Sequence, residues 1–368
     1  MKKLLPLLLA LALLLSGCGR REEAPPPAPE PSAGTEEPSG TPPISAENPL
    51  ELDTLRTEVC RGGLGSDRLM EAARELPELL RSALAVHSVQ ADLVQVTIGS
   101  SPAATVQALN EGTVDIAVLP AEGFAGQETA ATVLLVSGPS TQDPFVWRDR
   151  PVGYQADLWT APTDYGMNLA DRMGQEGELP SWEALNRARW GLLDSDSIPG
   201  RRAVDLWLAD NYEGNTTASL SSVTTYEDFD QLVQAAEAGE IDVFPWPWEA
   251  FAENDERPPL PSSVRLGETE WFYDMVAAVS PKRPDLAGPE EGPCVFQEPL
   301  DLVLTMLCWH DGTQMQLDHS LLFPGEGYDQ KTLELCRDVL GPGRFRYAQE
   351  GDLDAMRRLL TLEERTAE

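Results

Sequence analysis

The stretch Val106 to Phe124, VQALNEGTVDIAVLPAEGF, recurs at Val233 to Phe251 as VQAAEAGEIDVFPWPWEAF. The matching positions are Val106/Val233, Gln107/Gln234, Ala108/Ala235, Gly112/Gly239, Asp115/Asp242, Glu122/Glu249 and Phe124/Phe251. Each copy reads as a helix end, a glycine stop, a hydrophobic residue and an aspartate, a short buried strand and a loop. The apolar period changes from helical to strand-like across the glycine, which commits the chain to α/β construction. Two copies predict two similarly built α/β lobes, each with a loop at the carboxyl end of a strand. In open α/β sheets such loops are where ligands bind.

The start of the chain is of a different kind. Lys2 and Lys3 precede a leucine-rich run from Leu4 to Leu15, and Leu15-Ser16-Gly17-Cys18 follows. The run is too short to cross a bilayer as a structural helix and suits an export signal removed on processing. With small residues abutting the cysteine it resembles a bacterial lipoprotein signal, residues 1–17 being the leader and Cys18 the lipid carrier. An acylated cysteine holds a protein on a membrane without spanning it. Residues 18–49, with EEAPPPAPEPSAGTEEPSGTPP, have no apolar periodicity that could bury a core, and read as an extended, disordered tether.

The formal charge of −34 makes nucleic acid and anionic lipid poor partners for the folded part. Cys60, Cys294, Cys308 and Cys336 form an even set in an exported chain, so disulfides and free buried thiols are both open. Cys308, His310 and His319 match no metal-ligand spacing. No nucleophile–His–acid pattern, P-loop or dinucleotide fingerprint is present, so the expectation is a binding protein, not an enzyme, with no cofactor. Asp115 and Asp242 sit beside a glycine turn at the edge of a buried strand, where they most simply accept hydrogen bonds from backbone amides.

Taken in order, the folded part opens with a strand near Thr54 and the turn Arg61-Gly62-Gly63-Leu64-Gly65. A helix is capped at Ser66, with a kink or break expected at Pro77. A strand over Leu93 to Ile98 leads to Gly99-Ser100-Ser101-Pro102, where Ser101 suits an N-cap and Pro102 the first helical position. Strands are expected at Val114 to Leu119, Thr132 to Ser137, Trp190 to Leu193, Ala218 to Val223 and Ile241 to Phe244. A helix is expected from about Arg201 to Asn211 after the turn Asp194-Ser195-Asp196-Ser197-Ile198-Pro199-Gly200. Residues Ser263 to Ser280 should carry the strand that returns to the first lobe. Helices are expected at Leu300 to Trp309 and Tyr328 to Leu340, and a closing strand and helix from Gly343.

Strand, small hydroxyl turn, helix ending in Ala108-Leu109, Gly112, then Val114-Asp115-Ile116-Ala117 and a loop together resemble the first lobe of the phosphonate-binding, PhnD-like family. These are periplasmic solute-binding proteins of ABC importers with the type 2 periplasmic binding-protein fold. The resemblance implies two lobes, 50–152 with 266–368 and 153–265, joined by a hinge and closing on a small molecule that is then passed to an ABC permease. It further implies a turn at Ser197 to Gly200 whose hydroxyls and amides hold phosphonate oxygens at a helix N-terminus. Here only the Ser197 hydroxyl survives and Pro199 removes an N–H. Arg201 or Arg202 could compensate by folding over the cleft.

The expected ligand-contacting residues are therefore Ser100, Ser101, Phe124, Ser197 and Gly200, with Trp246 and Trp248. The last two stand between prolines on a cleft loop, with Glu249 beside them. A stiff tryptophan loop suits an apolar or cation–π wall, or equally a packed lobe interface. The expectation is a lipid-anchored, extracytoplasmic, monomeric solute-binding lipoprotein whose ligand is phosphonate-, phosphite- or phosphate-like. The alternatives are an organic or cationic solute, an extracellular sensor, or an enzyme of the same fold.

Overall fold

A computed structural model of the chain describes residues 44–61, 65–138, 152–176, 179–247, 260–287, 296–308, 330–341 and 344–367. Cys18, Trp248, Glu249, Cys294, His310 and His319 lie outside them. The described chain begins β1 (Leu50–Val59), α1 (Ser66–Val86), β2 (Val89–Ile98), α2 (Pro102–Glu111), β3 (Ile116–Pro120), α3 (Ala121–Ala125) and β4 (Thr132–Gly138). It then crosses to β5 (Ala156–Thr160), α4 (Asp164–Glu176), α5 (Trp182–Arg187), β6 (Trp190–Leu192), a π-turn at Ile198–Arg202 and α6 (Ala203–Asn211). β7 (Val223–Thr225), α7 (Phe229–Glu237), β8 (Val243–Pro247) and β9 (Arg265–Glu268) complete that part. After the return come β10 (Met275–Val279), α8 (Pro284–Ala287), α9 (Gln297–Cys308), α10 (Gln330–Leu340), β11 (Arg344–Tyr347) and α11 (Asp354–Ala367).

Two sheets result, ordered β11-β4-β10-β3-β1-β2 and β7-β6-β8-β5-β9. In the first, β1 runs parallel to β2 and β3, while β10 is antiparallel to β3 and β4. In the second, β6 runs parallel to β7 and β8, and β5 is antiparallel to β8 and β9. Strand for strand, β2-β1-β3-β10-β4 corresponds to β7-β6-β8-β5-β9, with β11 an added edge. This is the two-lobed α/β architecture with a hinge.

Alternation along the strands divides each lobe's core between the two faces of its sheet. Ile116 and Val118 of β3 join Leu55, Leu76, Leu84 and Phe345 on one face, and Ala117 and Leu119 join Leu109, Phe124 and Leu359 on the other. In the second lobe Val243 packs with Trp190 and Leu208, and Phe244 with Trp159 and Leu232.

Four expectations need correction. The N-cap of α1 is Gly65, and Ser66 is the first helical residue instead of the cap. α1 runs unbroken through Pro77, because the buried stripe Leu76, Leu79, Leu80, Ala83 and Leu84 outweighs one missing backbone donor. The strand expected at Ala218 to Val223 is instead a 3-10 turn over Thr217–Ser219 followed by β7, since β6 offers only Trp190–Leu192 for pairing. The return segment is two strands: β9 stays in the second sheet to Glu268, past the expected boundary at 265, and β10 belongs to the first.

At the hinge, Tyr154 and Phe272 pair antiparallel, exchanging N–H···O bonds of 2.7 and 2.8 Å. The Tyr154 hydroxyl donates to Asp274 Oδ2 at 2.8 Å. Gly138 and Gly153 touch backbone to backbone there: a Cβ on Gly138 would lie 2.5 Å from Gly153 Cα, and Gly153 has φ +123°. No larger residue fits either position without moving the crossing. Burial pushes the Asp274 carboxyl upward against the Tyr154 hydroxyl and the charge of Arg61, and burial beside Asp274 raises Tyr154.

Candidate ligand cleft

The repeat explains itself in the same contact made twice. Arg56 N–H donates to Asp115 Oδ2 at 2.8 Å, and its guanidinium reaches both oxygens at 3.1 and 2.5 Å. Arg189 N–H donates to Asp242 Oδ2 at 2.9 Å, and its guanidinium reaches both oxygens at 3.0 and 2.7 Å. Each arginine stands on, or just before, the strand parallel to the aspartate's own. Both aspartates are buried, and although burial opposes ionisation, the arginine bonds hold their carboxyls below the ordinary range. Asp115 also takes Arg283 at 3.1 Å, whereas Asp242 takes the Thr163 hydroxyl at 2.7 Å. Sequence reasoning expected the backbone bonds and missed the arginines. These corners set the strand ends; they are scaffold.

The candidate ligand edge is formed by loops at the carboxyl ends of the parallel strands. After β2, Ser101 Oγ accepts the Ala104 N–H at 3.2 Å and Pro102 opens α2, so the serine caps its helix. Ser100 is exposed beside it. Phe124 on α3 is buried in the first lobe's cluster with Leu359, Leu362 and two residues of α6, Ala203 and Leu206. Its ring packs within that cluster.

After β6 the turn departs from an anion cradle. Asp194 Oδ1 accepts the N–H groups of Asp196 and Ser197 at 3.0 and 3.1 Å, and Ser197 Oγ accepts the Gly200 N–H at 3.1 Å. The chain's own carboxylate thus occupies donors that a bound oxyanion would use. Pro199 has no N–H, and Arg201 and Arg202 both donate to Ser197 O at 3.0 Å, which opens the turn to π geometry. Gly200 is buried because Leu193 leaves no room: a Cβ there would lie 2.5 Å from Leu193 Cγ. The Gly200 N–H is the one that Ser197 Oγ accepts.

Arg202 does fold across the interlobe space. Its guanidinium bonds Glu122 on α3 at 2.8 and 3.1 Å and Glu363 on α11 at 2.7 and 3.0 Å. The Arg202 side chain is 13% exposed and its partners 44% and 40%. The bonds to Glu122 and then Glu363 raise its pKa above the ordinary arginine value. Glu122 was visible as a repeated position, paired with Glu249; Glu363 carried no signal.

Trp246 is half-buried, edge-on to Phe229 with ring centroids 5.9 Å apart. It pairs in register with Asp157, whose carboxyl burial raises despite Arg265 at 3.2 Å. Cys60 and Cys336 are buried free thiols, and burial raises both, Cys336 to about 12. Among the described residues no three His, Cys, Asp or Glu side chains are grouped to hold a metal ion, and no helix is long and apolar enough to cross a membrane.

No known family profile and no curated protein matches the chain. Among solved structures it is similar to PhnD1 from Prochlorococcus marinus in complex with methylphosphonate, with 13% identity, 86% of this chain and 98% of that chain covered, and TM-score 0.35. It is similar also to the Mycoplasma hyorhinis protein Mh-p37, a putative thiamine pyrophosphate transporter, with 9% identity, coverage of 87% and 100%, and TM-score 0.40. A third is the alkanesulfonate-binding protein SsuA from Xanthomonas axonopodis pv. citri bound to MOPS, with 13% identity, coverage of 86% and 94%, and TM-score 0.31.

Proposed function

We propose that this chain is a solute-binding lipoprotein, held at the outer face of the cell membrane through Cys18 and tethered by residues 18–49, that captures a small molecule between its two lobes for an ABC permease. The first lobe comprises 50–152 and 266–368 and the second 153–265, with the second sheet's edge running on to Glu268. The observation that carries the reading is the meeting of the two sheets' carboxyl-end loops, β3 to α3 and β6 to the π-turn, at Glu122 and Arg202. Ligands of open α/β sheets bind at such loops, and two facing sets make a cleft.

A phosphonate-like ligand is the reading the resemblance implies, with Ser100, Ser101 and Ser197 as its hydroxyl donors. An organic or cationic solute walled by Trp246 and Trp248 is the reading we favour. Asp194 already fills the amides at Ser197, and Glu122 and Glu363 already fill the guanidinium of Arg202. An oxyanion would have to displace carboxylates from both places.

A thermal-shift screen of the purified protein against phosphate, phosphite, alkylphosphonates, quaternary amines and aromatic amines tests this. A solute at 100 times its dissociation constant stabilises by about 2.7 kcal/mol. A shift with amines and none with phosphonates is expected. A shift with phosphonates alone restores the oxyanion reading, and silence across the screen removes the support for capture of these solutes.

A further inference from the structure

We propose that Arg202 latches the two lobes shut in the absence of solute, with Glu122 and Glu363 as its catches, so that the resting protein is closed and opening requires this cluster to break. The proposal rests on the two-lobed reading above, and on no particular ligand.

The placement carries the argument. Arg202 closes the π-turn that follows β6, at the ligand edge of the second sheet, while Glu122 opens α3 directly after β3, at the ligand edge of the first. Glu363 comes from α11, whose Leu359 and Leu362 lie in the first lobe's core. One guanidinium therefore ties a second-lobe turn to two separate first-lobe helices through two bidentate pairs. Arginine's planar fork fits such pairing, whereas a lysine could supply only a point charge.

The surroundings separate this cluster from a surface ion pair. Ala203 and Leu206, immediately after Arg202, share an apolar cluster with Phe124, Leu359 and Leu362, so the seam beside the latch is dry. Exposed pairs contribute little, but here the guanidinium of Arg202 is largely desolvated and depends on Glu122 and Glu363, which themselves stay partly exposed. Without Arg202, Glu122 and Glu363 stand side by side on the first lobe with no cation between them, and the turn before α6 keeps no ionic tie to α3 or α11. A second bridge supports the same seam farther along: Arg358 of α11 bonds Asp210 of α6 at 2.7 Å and also bonds Glu270. The carboxylate of Glu122 thus does from within the chain what a ligand does in a protein that closes on capture.

Amide hydrogen exchange on the full chain, with no solute added, tests the latch. In the native protein, α6 and α3 are expected to be protected to a depth comparable with β8 and β10. Arg202→Met should speed exchange in α3, α6 and α11 by roughly tenfold or more while leaving β1, β3, β5 and β8 unchanged, the signature of opening without unfolding. Fast exchange of α3 and α6 in the native protein overturns the proposal, as does an unchanged seam in Arg202→Met. If Arg202→Met loosens both sheets as well, Glu122→Gln decides: it keeps the Glu363 pair, so faster exchange confined to the seam supports the latch and an unchanged seam sinks it. Because no solute is used, a failed solute screen leaves this result standing.

Discussion

The two lobes share their scaffold and differ at their ligand edge. Asp115 with Arg56 and Asp242 with Arg189 repeat one corner atom for atom, down to the backbone N–H that each arginine donates. A few residues downstream the likeness ends. The first lobe continues from β3 into the short helix α3, whereas in the second the strand β8 itself runs on through Pro245-Trp246-Pro247. The turns before α2 and α6 diverge too, one a plain serine cap and the other a π-turn closed by Asp194. Corners that position strands were kept, and the loops that meet in the cleft were rebuilt. The residues that position the strands are shared, and those of the facing loops are not.

The largest effect should come from breaking the shared corner. Asp115→Ala removes the partner of Arg56, one of two partners of the mostly buried Arg283, and the acceptor of the Arg56 N–H; a cost of about 3 kcal/mol is expected. Asp242→Ala faces one half-exposed arginine and a hydroxyl, so about 2 kcal/mol is expected. Urea denaturation of the two variants measures the difference, and equal losses would show that Arg283 contributes nothing. The same corner sets an acid limit. Both carboxyls have folded values below their unfolded ones, so their contribution is fully present above about pH 5 and is lost as pH falls through the carboxylate range. Asp115→Asn should flatten the acid side of the stability curve; an unaltered slope below pH 4 would place the acid sensitivity in other groups.

Trp246→Ala probes the edge that the first lobe does not share. Loss of a half-buried indole packed on Phe229 should cost about 2 kcal/mol of stability. If Trp246 also walls the solute, affinity for an aromatic amine should fall by at least about tenfold in an equilibrium titration, a loss of roughly 1.4 kcal/mol. Stability lost with affinity intact would make the indole packing only.

The sequence displayed the parts that repeat or alternate. The glycine stops, the Asp corners, the strands around them and the serine cap at 101 are local, and local chemistry fixes them. What escaped was non-local. Arg56 and Arg189 come opposite Asp115 and Asp242 only once parallel strands are in register, and their own flanking sequences, TLRTEVC and NRARWGLL, share no motif. Glu363 meets Arg202 across 161 residues of chain, and nothing in its helix distinguishes it from the other acids there. Pro77 misled for the opposite reason: its local penalty is real, but packing of the residues around it is larger.

The smallest effects compare the two serines. Ser101→Ala and Ser197→Ala each lose one side-chain acceptor for a helix amide, Ala104 in one and Gly200 in the other, and each should cost about 1 kcal/mol in thermal or urea unfolding. As caps alone they leave solute affinity unchanged. As donors to a bound oxyanion they lower it, by about 1–3 kcal/mol for the double variant. The turns differ in what backs them up. At Ser197, Asp194 continues to hold the amides of residues 196 and 197 after the hydroxyl is gone, whereas no other side chain among the described residues accepts from the start of α2. Ser101→Ala should therefore be the more costly of the pair. A larger loss at Ser197 would mean that its hydroxyl does more than cap the π-turn, and would reopen the oxyanion reading at that edge.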